Sequence, residues 1–202
     1  MSPGSSDDSS QRRGRAPVLV LPGWGASDRS TIGLRAQLSL RGHQVHPWRL
    51  GRNEGPSAQM AEELSARFRQ LHDRHRRPIA VVGWSLGGIY AWSLAQRFAE
   101  QVEAVVTLGS PLVRAGDLGA PSSVPLTSIW SRRDRVVNWR SSVITESDRR
   151  ENIEVRALHV TLGFDPLVVG AIADRLAQRP DRWRPFRPPP WLTAAYPPTA
   201  AR

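Results

Sequence analysis

The chain has 202 residues and no cysteine, which is enough for one domain with a substantial core and excludes a disulfide framework, a thiolate metal site and a cysteine nucleophile. Its net charge is +10, set by 28 arginines, no lysine and 18 acidic residues. Such basicity admits attraction to anionic surfaces, but no motif that reads DNA or RNA accompanies it, and no apolar run approaches the roughly 18 residues of a membrane span.

Residues 1–15 are dominated by Ser, Asp, Gly and Arg, lack the apolar stretch of a secretion signal, and read as a flexible tail on a cytoplasmic protein. A folded domain is expected over residues 16–179. It opens with the apolar run Ala16–Leu21, a buried strand that ends at Pro22-Gly23. Ser27 or Asp28 caps a predicted helix running to about Arg41, stopped by Gly42. His43–Leu50 reads as a second strand. Ser57 opens a long helix to about His75, with Met60, Leu64, Phe68 and Leu71 on one face. Pro78–Trp84 is a third, very apolar and central strand, followed by a helix from Leu86 to about Ala99. Strands are predicted at Gln101–Leu108, Leu126–Trp130 and Asn152–Ala157, and a last helix at Asp165–Gln178. Strands alternating with helices predict an α/β fold, a mostly parallel sheet of about six strands covered on both faces. Residues 180–202 mix seven prolines with Trp183, Phe186, Trp191 and Tyr196. This composition excludes helix and central sheet and leaves a tail, a strap over the domain or a partner ligand open.

The strongest local signal is Gly83-Trp84-Ser85-Leu86-Gly87, placed after an apolar strand and before a helix. Gly-x-Ser-x-Gly in that context forms a sharp turn that lifts the serine hydroxyl above the sheet. The Leu86 N–H then lies at a helix N-terminus, where partial positive charge favours an oxyanion. Pro22-Gly23-Trp24-Gly25 follows the first strand at the same sheet edge and offers a second donor, the Trp24 N–H. A serine hydroxyl needs a base, and the base needs an orienting group. Of the five histidines only His159 follows Ser85, which makes it the candidate base in the chain order nucleophile, acid, base. His43 and His46 read as structural, His72 and His75 as solvated. Asp134, four residues past Trp130, is the first choice of acid, and Asp117 in the Gly/Pro-rich insertion is the second. Trp24, Trp48 and Trp84 either line an acyl pocket or fill the core. His72 and His75, three apart without a third ligand, make no convincing metal site.

With these segments the chain resembles a small member of the α/β-hydrolase superfamily. Leu21-Pro22-Gly23-Trp24-Gly25, Gly83–Gly88, Asp134 and His159 carry the resemblance. So does Thr107-Leu108-Gly109-Ser110-Pro111-Leu112, which is similar to a segment of bacterial triacylglycerol lipases and inositol-deacylase-like relatives. It extends over about Pro17 to Gln178. It implies Ser85 as nucleophile, His159 as base and Asp134 as its orienter. The Trp24 and Leu86 N–H groups form the implied oxyanion hole, and no metal or organic cofactor is implied. Two departures accompany it. Only about fifteen residues separate Gly109 from the next strand, so little or no lid is expected, and proline stands where esterases often carry histidine before the oxyanion glycine.

The expected function is hydrolysis of small acyl esters through an acyl-serine intermediate. A thioesterase, acyltransferase or amidase using the same three residues, and a non-catalytic basic binding module, stay open as alternatives.

Overall fold

The computed structural model describes residues 15–115 and 123–197. The expected N-terminal tail apart from Arg15, the second-choice acid Asp117, and the last five residues lie outside them. Six strands form one sheet: β1 (Val18–Leu21), β2 (Val45–Pro47), β3 (Ile79–Trp84), β4 (Val102–Leu108), β5 (Leu126–Ser131) and β6 (Arg150–Val155). Their order is β2-β1-β3-β4-β5-β6, and every neighbouring pair is parallel. Four α-helices connect them: α1 (Ile32–Leu40), α2 (Ala58–His75), α3 (Leu86–Arg97) and α4 (Pro166–Ala177). The chain thus has the α/β fold with a six-stranded parallel sheet that the alternation of segments predicts.

β1 and β3 are apolar along their length because both faces are covered, while β4 and β5 admit Glu103, Thr107, Thr127 and Ser128. Val18 and Val20 of β1 and Val82 of β3 pack with Leu34 and Leu38 of α1 and Val168 and Ile172 of α4. Leu19, Leu21, Ile79 and Val81 point the other way, toward Leu64, Phe68 and Leu71 of α2 and Leu94 of α3. With all strands parallel, the loops that follow them open at one carboxyl edge, and the loops after β1, β3, β5 and β6 carry Trp24, Ser85, Asp134 and His159.

Two local expectations are corrected. The second strand is three residues long, not eight. Trp48 and Arg49 donate their N–H groups to the Asp28 carboxylate, at 3.0 and 3.1 Å, instead of to a ladder. His75 is not free in solvent: its Nε2 lies 3.0 Å from Nε2 of His46, in hydrogen-bond contact. Among the described residues no helix is long and apolar enough to cross a membrane.

Residues 180–197 run over α4 and the edge strand β6. Glu151 of β6 organises the contact: Oε1 accepts from Thr127 Oγ1 at 2.8 Å and Arg175 at 2.9 Å, and Oε2 accepts from the Phe186 N–H at 2.6 Å. Arg175 also donates to the Arg184 carbonyl, and the Tyr196 hydroxyl donates to the Leu167 carbonyl at 2.7 Å. Phe186 and Tyr196 meet edge to face and join the apolar cluster under α4.

Deleting residues 180–202 uncovers these aromatics and strips Arg175 and Glu151 of partners. Two large apolar side chains contribute about 4 kcal/mol, so the melting temperature is expected to drop by about 10 °C. An unchanged melting temperature in calorimetry would contradict an integral role for the segment.

Three histidines make stability acid-sensitive. Burial, then Arg15, lowers the pKa of His43, whose two ring nitrogens are buried without a hydrogen-bond partner. Burial, then His75 and neighbouring arginines, lowers His46 from 6.5 to about 4; burial and Arg74 and Arg77 lower His75. Each folded-state pKa lies below the unfolded value, so the unfolded chain binds more protons once the pH falls below about 6.5. The stabilisation is complete above that pH and is lost as pH falls toward 4. The melting temperature is expected to drop between pH 7.5 and pH 5, and His43→Leu to flatten the slope; a slope that survives the substitution unchanged removes His43 from the account.

Candidate active site

The turn between β3 and α3 is set by steric exclusion. A Cβ added to Gly83 would overlap the Gly87 carbonyl, and one added to Gly87 would overlap the carbonyl of Leu21 in β1. The backbone therefore passes closer than any other residue permits, and Ser85 is held at φ 55° and ψ −122°. A non-glycine residue there carries about 1–3 kcal/mol of strain. Two main-chain bonds hold it: Ser85 N–H to the Leu108 carbonyl at 2.8 Å, and Gly88 N–H to the Ser85 carbonyl at 3.0 Å. Leu86 opens α3, so its N–H has no acceptor within the helix.

The loop after β1 comes up against this turn. A Cβ on Gly23 would lie 3.1 Å from Ser85 Cβ, so the backbone just before Trp24 runs against the serine. Gly25 N–H donates to the Asn53 carbonyl at 2.7 Å and Ala26 N–H to the Gly23 carbonyl at 3.2 Å; among the described residues the Trp24 N–H donates to no main-chain acceptor.

His159 and Asp134 meet across two loops. His159 Nδ1 lies 2.6 Å from Asp134 Oδ2, and both residues are buried. An ionised carboxylate only accepts, so Nδ1–H donates, and in the neutral ring that leaves the lone pair on Nε2. The other carboxylate oxygen accepts from the Val136 and Val137 N–H groups at 2.9 and 2.8 Å, which fixes the carboxylate plane. Gly109, after β4, forms the floor: at its φ of 53° a Cβ would lie 2.8 Å from Asp134 Oδ2 and 3.0 Å from His159 Nδ1. Trp84, next to the serine, donates its indole N–H to the His159 carbonyl at 3.2 Å, and its ring packs so tightly on Gly163 that a Cβ there would lie 2.7 Å away. This contact couples the serine turn to the histidine loop. The Ser85 hydroxyl and His159 themselves are not hydrogen-bonded in this structure.

The tryptophans divide. Trp48 is fully buried with its indole N–H on the Gly51 carbonyl, Trp84 is buried beside the site, and Trp24 is 73 % exposed. Among the described residues no group of three or more His, Asp or Glu side chains is arranged to hold a metal ion.

Asn53 is the residue that sequence reading overlooks. It is fully buried. Its Nδ2 donates to the Pro22 carbonyl at 3.0 Å, and its main chain exchanges 2.7 Å bonds with Gly25 and Ala26. Its Oδ1 accepts from the Gly55 N–H and the Tyr90 hydroxyl of α3, each at 3.2 Å. It ties the Gly23–Ala26 loop to the helix behind Ser85. Only its place in a Gly-flanked loop hints at this, because every partner but Gly55 is distant in sequence.

The sequence model of the alpha/beta hydrolase family matches residues 18–201. The pimeloyl-[acyl-carrier protein] methyl ester esterase of Shewanella woodyi is 32% identical over 94 residues, 46% of this chain and 35% of that protein. The enzyme of the same name from Vibrio vulnificus is 33% identical over 109 residues, 52% of this chain and 42% of that protein. The chain thus spans between about a third and two fifths of the length of these curated relatives. Among solved structures, Aspergillus fumigatus lipase B superposes with a TM-score of 0.67 at 15% identity, covering 91% of this chain and 58% of that one; at such identity the likeness concerns the fold.

Asn53→Ala releases the Pro22–Ala26 loop while leaving Ser85, Asp134 and His159 intact. It is expected to slow labelling of Ser85 by a fluorophosphonate at least about tenfold and, through unpaired buried groups costing about 1–3 kcal/mol, to lower the melting temperature by several degrees. A lowered melting temperature with an unchanged labelling rate would assign Asn53 to stability alone.

Proposed function

The chain belongs to the alpha/beta hydrolase family, and on that premise we propose that it is a serine esterase that hydrolyses carboxylic esters through an acyl-serine intermediate. One observation carries the reading. Ser85 stands on a strained glycine-bounded turn at the carboxyl edge of β3, at the same edge as a buried His159–Asp134 pair 2.6 Å apart. The esterase names of the curated relatives support ester cleavage over the amide and thioester alternatives.

In the proposed reaction Ser85 Oγ attacks the ester carbonyl carbon while His159 Nε2 takes the hydroxyl proton. The carbonyl electron pair moves onto oxygen, and the Trp24 and Leu86 N–H groups stabilise the oxyanion. His159 then gives its proton to the departing alcohol as the C–O bond breaks, leaving the acyl-serine. Water repeats the sequence, with His159 as its base, and releases the acid and free Ser85. Asp134 keeps Nδ1 as donor throughout and stabilises the transient imidazolium. Trp84 holds the histidine loop through the His159 carbonyl, a contact that supports alignment of base and nucleophile once substrate is bound. Catalytic hydrogen bonds often tighten only in the complex, in keeping with the unbonded Ser85 hydroxyl here.

Ser85→Ala is expected to lower turnover of p-nitrophenyl esters by more than about 10³-fold without lowering the melting temperature, and Asp134→Asn by about 10⁴-fold through the wrong histidine tautomer. Turnover near that of the parent in Ser85→Ala would reject the mechanism. Comparing acetyl to longer acyl esters sizes the acyl site.

A further inference from the structure

The carboxyl edge of the sheet leaves an unusual amount of apolar surface in water. Of the nine large apolar residues exposed among the described residues, six stand in loops at this edge: Trp24 after β1, Val113 after β4, Val136 after β5, and Leu158, Val160 and Phe164 after β6. Single exposed apolar side chains are ordinary. Here they gather on both sides of β3, because the strand order places β1 on one flank of Ser85 and β4, β5 and β6 on the other. Leu158 and Val160 bracket His159 in sequence, and Val136 supplies an N–H to Asp134. Exposed apolar side chains thus stand in the loops on both sides of the strand that carries the candidate nucleophile.

The same edge is strongly basic. Arg29, Arg49, Arg52, Arg133, Arg135 and Arg156 stand exposed in its loops. The acids there are largely engaged in the fold. Asp28 accepts from the Trp48 and Arg49 N–H groups, Asp134 holds His159, and Asp165 caps α4 through the Leu167 N–H at 2.8 Å. Among the described residues Glu54 is exposed in the loop after β2, and Glu146 and Asp148 are exposed later in the β5–β6 connection. Aromatic and aliphatic side chains ringed by cations are what an interface of acyl chains and anionic headgroups requires. A soluble acidic protein would match the arginines, but not the separate apolar side chains exposed in four loops.

We propose that this face docks on an anionic lipid bilayer, so that Ser85 meets ester substrate held at the membrane surface. Delivery of substrate rests on the esterase reading; the docking itself does not.

The test is sedimentation of the full chain with vesicles of phosphatidylglycerol or of phosphatidylcholine, at about 0.1 M and about 0.5 M salt, with Ser85→Ala run alongside. Binding to phosphatidylglycerol is expected to exceed that to phosphatidylcholine at least about tenfold and to weaken several-fold at the higher salt. Ser85→Ala should bind as the parent does. Paired Val113→Asp and Val160→Asp, and separately paired Arg52→Glu and Arg156→Glu, should each weaken binding at least about tenfold with the melting temperature retained. The lipid and salt comparisons need no variant and stand if one fails to fold. Equal binding to both lipids, no binding, or binding that both pairs leave unchanged overturns the proposal. Retention on an immobilised acidic protein without vesicle binding overturns it too and assigns the arginines to protein recognition. Vesicle binding without ester turnover would sink the esterase reading alone, and turnover without vesicle binding would sink the docking alone.

Discussion

No side chain fits between the end of β3 and the first turn of α3, and the geometry of the candidate site follows from that exclusion. With only hydrogen at Gly83 and Gly87, α3 starts against the carbonyls of β1 and of its own turn. The chain reverses within one residue, and that residue is Ser85 at positive φ. Strain there would relax if the flanks were loose. They are not: Ser85 is bonded to Leu108 in β4, and its neighbour Trp84 is clamped between Gly163 and the His159 carbonyl. One close approach fixes the serine, orients an unpaired helix-terminal N–H beside it, and ties both to the loop that carries the histidine.

The candidate acid and base obey a second exclusion of the same kind. Asp134 and His159 come from loops 25 residues apart, yet they share one floor at Gly109. Any side chain at Gly109 would push between them. The carboxylate is divided in its duties. One oxygen is held by two main-chain N–H groups, so the other faces His159 in a fixed plane. A freely rotating carboxylate would pay rotamer entropy to make the same contact; here the loop has already restricted it.

Much of this was legible in the residue order. The inner strands announce themselves because a sheet covered on both faces favours near-continuous apolar runs, as in Ile79–Val82. The candidate base stands out because the chain has only one histidine after Ser85, and Asp134 because a loop just past a strand reaches the neighbouring strand's loop. What stayed hidden depends on partners far away in sequence. The second strand looked long because His43–Leu50 has strand-like residues; the Asp28 carboxylate, 20 residues earlier, takes the N–H groups that would have extended it. Asn53 looks like a loop residue until its bonds to Pro22 and Tyr90 are seen, 31 and 37 residues away. His75 looked solvated because it ends a polar helix, but the helix end rests on β2, where His46 meets it.

The arginine count misleads in the same way when read as charge alone. Some guanidinium groups are building material. Arg175 is buried between Glu151, Asp174 and the Arg184 carbonyl and carries the C-terminal segment. Arg67 is buried too, donating to the Pro47 carbonyl and to Gln70. Arg132 pairs with Glu154 at 3.0 Å and lies 4.5 Å from the centre of the Trp139 ring, which stacks on Trp130. A lysine ammonium, compact and without a planar face, could not stack and fork at once in these places. Once such arginines are set aside, Arg29, Arg49, Arg52, Arg133, Arg135 and Arg156 stay exposed in the carboxyl-edge loops, and among the described residues none of them forms an ion pair. A net charge of +10 is therefore a poor guide to where the molecule is electropositive. Where Arg132 and Arg175 brace strands and helices the fold pairs or buries the cation, and in the described loops that hold Ser85 and His159 it leaves other arginines exposed.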